Sequence, residues 1–143
     1  MTTPFISQEQ QQQSQVQWQA QTAAIHTAVP RSQYSENSEA LYLSSSFTHP
    51  NAATAARRFA GEEEAFIYSR FSNPTVASME MRLAAMEGAE AAIATASGMG
   101  ALSLLCLSLL QAGDHIVCSR SVFGSIIKLL GSEMARFGVE TTF

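Results

Sequence analysis

From residue 91 to residue 143, short apolar runs alternate with helix-length segments, and no other feature of the chain restricts its fold as much. Residues 91–96, 115–119 and 139–143 read as strands, and the segments from Ser97 to about Gln111 and from Gly124 to Phe137 read as helices between them. Residues 91–96 are apolar without strict alternation, as expected of a short strand covered on both faces. Strands joined through helices pair in parallel, because each crossover has to pack back onto the sheet. The expected fold class is therefore α/β.

Upstream, Asn73-Pro74 marks a helix start. Asn caps free amides, and Pro at the first helical position gives up only an amide that had no partner. That helix runs to about Glu87 and is ended by Gly88. A shorter helix is expected from Asn51 to Phe59, with Gly61 as its stop. Residues 27–46 carry serines, Pro30 and Asn37 without helical or strand periodicity, which predicts an extended arm. Nine glutamines lie between Gln8 and Gln21, a composition that buries too little apolar surface to offset the entropy of ordering. A disordered tail over residues 1–23 is expected, with helix formation near Trp18. No signal for export precedes these residues, so a cytoplasmic location is expected.

The chain has 143 residues, a formal net charge of −4 and eight Lys plus Arg, too few cations for a surface that tracks a phosphate backbone, so nucleic acid is set aside. The most apolar stretch, residues 99–110, is interrupted by Ser103 and Ser108 and falls short of the roughly 20 residues that cross a bilayer, so no membrane span is expected. Cys106 and Cys118 have no second pair for a metal site and read as reduced, buried thiols.

Two segments carry chemistry. In the first, residues 91–96 run directly into Ser97-Gly98-Met99-Gly100 and a helix. A helix start offers unpaired amides and the positive end of the peptide dipole, and glycines let an anion approach. Glycines at such turns also serve close packing, so both readings stand on the residues alone. The second segment is Tyr68-Ser69-Arg70-Phe71-Ser72-Asn73-Pro74-Thr75. An arginine fork beside a tyrosine hydroxyl suits a dianion, although a surface arginine next to a half-buried tyrosine is the plain alternative. Glu62-Glu63-Glu64 point in different directions and read as a solvated loop. His26, His49 and His115 have no metal-ligand spacing, so no metal is expected.

Taken in order, residues 68–75, Leu83-Ala84-Ala85-Met86-Glu87-Gly88 through Ser97-Gly98-Met99, and Gly113-Asp114-His115 through Ser121-Val122-Phe123-Gly124-Ser125 resemble the Cys/Met-metabolism pyridoxal-phosphate enzymes, the cystathionine γ-synthase-like family. The likeness covers residues 24–143. Ser32-Gln33-Tyr34, residues 36–41 and Ser45-Ser46-Phe47 are most similar to its homoserine sulfhydrylase branch. The resemblance implies a PLP-dependent transferase of fold type I, with an aspartate aminotransferase-like large domain. Residues 24–72 would form an N-terminal arm with short helices, and residues 73–143 the start of the cofactor-binding large domain. In that fold, strands from later in the sequence separate residues 91–96 from the next two strands.

The resemblance further implies that pyridoxal 5′-phosphate is the cofactor. Gly98 and Met99 would hold its phosphate through backbone amides, Tyr68 and Arg70 would reach the phosphate of a neighbouring subunit's site, and Phe123 would stack on the pyridine ring. Much of the family has tyrosine where Phe123 stands, and phenylalanine keeps the stacking without a hydroxyl to relay protons. Lys128 is the only lysine. It lies on a helix outside the Ser/Thr-rich setting in which the family places its Schiff-base lysine, so no catalytic residue is assigned here. The chain is expected to be a fragment, inactive by itself, of an enzyme that joins sulfide to O-succinylhomoserine and forms homocysteine in methionine biosynthesis. Small-molecule substrates and a homo-oligomer (homotetramer) with sites shared across a dimer interface follow. Cystathionine γ-synthase and methionine γ-lyase chemistry are the alternatives within the family, and a noncatalytic remnant is the alternative outside it. A generic nucleotide-binding domain would need a glycine-rich dinucleotide fingerprint, which the sequence lacks.

Overall fold

The computed structural model describes residues 18–29 and 31–143, which divide into two compact units at Ile93/Ala94. The glutamine-rich segment through residue 17 lies outside the described residues. A helix, α1 (Ala20–His26), begins just past Trp18, so the expected disorder through residue 23 does not hold for residues 20–23, whose backbone closes helical hydrogen bonds from Gln19 onward.

In the first unit, α2 (Ala52–Phe59) starts at Asn51, whose side chain accepts the Thr54 amide at 2.8 Å. The long helix α3 (Pro74–Glu87) has Asn73 as its cap and Pro74 in its first turn, and it ends where Gly88 turns left-handed at φ 64°. A side chain other than Gly's is strained in that conformation, so the break in the helix is built into residue 88. The arm is fastened to α3 at two places. Ser78 Oγ donates to the Ala28 carbonyl, and Arg82 donates from Nε to the Thr27 carbonyl at 3.1 Å while its Nη1 meets Glu39 at 2.9 Å. Farther along the arm, Phe47 N donates to Ile67 O and Ser69 N to Ser45 O, an isolated antiparallel bridge centred on Ser46 and Tyr68.

The second unit contains α4 (Gly98–Leu109), β1 (His115–Val117), α5 (Gly124–Lys128) and β2 (Glu140–Thr142). The strands pair in parallel with His115 opposite Glu140 and Val117 opposite Thr142, as the alternation of the sequence requires. The ladder continues past them, Cys118 N donating to Thr142 O and Glu140 N to Asp114 O, each at 2.9 Å. Cys106, Leu130, Met134 and Val139 form the buried core beneath this pair, with Ile116, Ile126 and Phe143 packed against it. Among the described residues no helix is long and apolar enough to cross a membrane.

Three further expectations need correction. Residues 91–96 do not form a strand: the sheet among the described residues consists of β1 and β2, and Ile93 is 75% exposed. A strand is defined by its neighbours' hydrogen bonds, and sequence patterning alone cannot supply them. The helix over residues 124–137 is α-helical only to Lys128, then widens to a π turn at Leu129–Glu133 and tightens to a 3₁₀ turn at Met134–Phe137. At the wide turn, the Leu130 carbonyl accepts the Thr141 hydroxyl at 3.0 Å, and a Cβ on Gly131 would lie 3.2 Å from the Phe143 ring. The helix thus gives backbone geometry to contacts with β2 that its own sequence does not announce. Finally, both thiols are free, but only Cys106 is buried; Cys118 is partly exposed at the end of β1.

Candidate anion and cofactor site

The start of α4 is set by Ser97. Its backbone is extended, at φ −161° and ψ 158°, and its hydroxyl accepts the Gly100 amide at 3.0 Å. Ala101 N closes the first helical bond onto the Ser97 carbonyl, which also accepts the Thr95 hydroxyl at 2.8 Å. Of the first-turn donors, this leaves the amides of Gly98 and Met99, which find no acceptor among the described residues. A Cβ placed on Gly98 would meet nothing within 4 Å, so the approach to these amides is open. Gly100 is different: a Cβ there would lie 3.2 Å from Ser97 Oγ, so this glycine serves the close fit of the cap. The two glycines thus differ: Gly100 is needed for packing against the cap, and Gly98 faces open space.

Phe123 belongs to the same unit and precedes α5. Its carbonyl accepts the Ile126 amide at 2.8 Å, and its ring is 72% exposed, with a face available for stacking. Tyr68 and Arg70 stand together in the first unit. The Arg70 guanidinium carbon lies 5.5 Å from the Tyr68 ring centre and 5.3 Å from that of Phe71, and Tyr68 and Phe71 meet edge to face at 6.5 Å. Both Tyr68 and Arg70 are exposed, and Arg70 makes no ion pair among the described residues. A guanidinium stacked on rings keeps its in-plane donors free for an oxyanion. Lys128 is exposed on α5.

Three charged residues of the first unit pair with one another. Glu63 receives Arg58 at 2.8 Å and Arg57 at 3.0 Å, and these bonds hold its carboxyl below the usual range. Arg58 also shares a 3.2 Å hydrogen bond with His49 Nδ1. Among the described residues no three His, Cys, Asp or Glu side chains gather in a way that would hold a metal ion.

Sequence reasoning gave Asn73 only its capping role. In the structure its amide nitrogen also donates to the Tyr42 carbonyl at 2.9 Å and to Ser69 Oγ at 3.0 Å. No signal in the sequence could have found the first bond, whose partner is 31 residues away.

A model of Cys/Met metabolism PLP-dependent enzymes matches residues 21–143. The chain is 48% identical over 122 residues to O-succinylhomoserine sulfhydrylase of Pseudomonas aeruginosa, covering 85% of this chain and 30% of that protein. Against L-methionine γ-lyase of Fusobacterium nucleatum the identity is 41% over the same length, covering 85% and 31%. Among solved structures, a Campylobacter jejuni protein assigned as an O-acetylhomoserine (thiol)-lyase, with a pyridoxyl-lysine phosphate, superposes with a TM-score of 0.80 at 32% identity, covering 87% of this chain and 30% of that one. The metB protein of Corynebacterium glutamicum superposes at 0.76 with 30% identity, covering 88% and 31%. The chain thus spans about a third of the length of the relatives it matches, and its fold is that of fold type I. With a family model matched over most of its length and these identities, the chain belongs to the Cys/Met metabolism PLP-dependent enzymes.

Proposed function

We propose that these residues supply the phosphate seat, the ring-stacking face and a subunit-bridging arm of an enzyme that replaces the acyl group of O-succinylhomoserine with sulfide. A C–S bond forms at the γ carbon, the C–O bond to succinate breaks, and the products are homocysteine and succinate. Pyridoxal 5′-phosphate, when bound, serves as the sink for electron density released at the α and β carbons. The observation that carries the reading is the pair of unpartnered Gly98 and Met99 amides at an open helix start, a donor set that fits a phosphate dianion.

Each remaining residue has a defined part. The Phe123 ring covers one face of the pyridine and moves no proton. Tyr68 and Arg70 present a hydroxyl and a guanidinium to the phosphate of a second subunit's site, so two copies complete each other. Lys128, exposed on α5, is not the covalent anchor of the cofactor, and these 143 residues by themselves are inactive. The likeness to O-succinylhomoserine sulfhydrylase favours the sulfhydrylase reaction. The L-methionine γ-lyase likeness at 41% identity supports the second reading, in which methionine and one water give methanethiol, ammonia and 2-oxobutanoate.

The two readings separate in one assay of the intact, cofactor-loaded protein. Homocysteine appearing from O-succinylhomoserine and sulfide, with slow or no release of methanethiol from methionine, is the expected result. Faster methanethiol release than homocysteine formation would overturn it in favour of the lyase.

A further inference from the structure

We infer that Asn73 is a positioning residue for the cofactor phosphate, acting through Ser69 on Arg70; the inference rests on the reading of Arg70 as a phosphate ligand. Asn73 is 6% exposed, and its side chain is fully engaged. Its Oδ1 accepts the Thr75 amide at 2.8 Å and caps α3, while its Nδ2 donates to the Tyr42 carbonyl and to Ser69 Oγ. The helix start, the arm and the loop before the helix therefore meet on one amide group. The same three segments are tied again around it. Tyr42 N donates to Thr75 Oγ1 at 2.9 Å, Ser69 Oγ donates to the Ser44 carbonyl, and Ser69 N donates to the Ser45 carbonyl at 2.9 Å.

Ser69 lies between Tyr68 and Arg70 in sequence. With its hydroxyl and its amide both fixed, the two flanking side chains are the exposed ones, and the Arg70 guanidinium rests on the Tyr68 and Phe71 rings. A long arginine loses much rotamer freedom when it binds an anion, and a backbone already held at Ser69 reduces that cost. Capping alone does not explain the choice of residue. Asp and Ser also cap well, but neither can donate to the Tyr42 carbonyl and Ser69 Oγ while accepting from Thr75.

That difference gives the test. In the intact protein, Asn73→Ser keeps a capping oxygen and removes the two donated bonds. Titration of pyridoxal 5′-phosphate should then show a dissociation constant raised by about tenfold, the scale of two hydrogen bonds' worth of preorganisation, with helix content by circular dichroism unchanged. Arg70→Ala and the double variant complete a cycle. If Asn73 acts through Arg70, the double variant binds no more weakly than Arg70→Ala. Multiplying effects would show that Asn73 acts independently, which overturns the inference while leaving the Arg70 reading intact, as would unaltered binding by Asn73→Ser. Normal binding by Arg70→Ala would instead overturn the Arg70 reading, and the inference with it. Should Asn73→Ser lose helix, Asn73→Asp provides the same cycle with a second capping oxygen that cannot donate.

Discussion

Glu39 and Arg82 illustrate how single residues fasten the arm to α3. The hydrogen bond from Arg82, followed by that from Glu39's own backbone amide, holds the Glu39 carboxyl below its usual range. A carboxyl with a depressed folded-state value adds stability above the ordinary Glu range, and that stability is lost as the pH falls through the lower folded-state value. Glu39→Gln should therefore lower the melting temperature of the intact protein at neutral pH and leave it little changed in strong acid. Equal losses at both ends of a thermal melt series from pH 7 to pH 2 would contradict this. Residue identity made part of this scale legible. Asn73 caps its helix as its type and position announce, and Gly88 takes the left-handed turn expected of it, whereas Asn51, expected inside its helix, stands just before it as the cap. The second role of Asn73 and the Glu39–Arg82 pair were hidden, because both depend on where residues far apart in sequence come to lie.

At the scale of elements, the helices were more legible than the strands. A helix satisfies its own backbone groups, so caps and periodicity locate it; a strand depends on partners that patterning does not name. β1 and β2 have each other and form within the residues expected of them, whereas residues 91–96 lie outside that sheet. Expressed as these 143 residues, the chain should exchange its amides quickly at Ile93, which is 75% exposed and outside the sheet, and more slowly at Cys118 and Glu140, whose amides are donated in the ladder. Strong protection at Ile93, read by hydrogen exchange with mass spectrometry, would contradict the assignment. The distorted helix before β2 belongs to the same lesson. Its register was visible, but the pull of Thr141 on the Leu130 carbonyl was not.

At the scale of the whole molecule, Leu104, Leu105, Leu107, Leu109 and Val117 are exposed around α4 and β1, and the chain spans about a third of the length of its relatives. The fold class and the family were readable from three motifs in order. The residue types of the candidate site stood in the sequence, while the open space at Gly98 and the close fit at Gly100 required coordinates. The central claim is that the Gly98 and Met99 amides seat the cofactor phosphate, and Gly98→Pro tests it most directly. Gly98 is the first residue of α4, where proline is well tolerated, and the extended backbone of Ser97 suits a residue before proline. The substitution thus deletes one donor and keeps the helix, while Gly98→Ala adds bulk and keeps the donor. In the intact protein, the dissociation constant of pyridoxal 5′-phosphate should rise by roughly ten- to a hundredfold more in Gly98→Pro than in Gly98→Ala, the scale of one hydrogen bond to a charged group. Equal binding by the two variants would contradict the account.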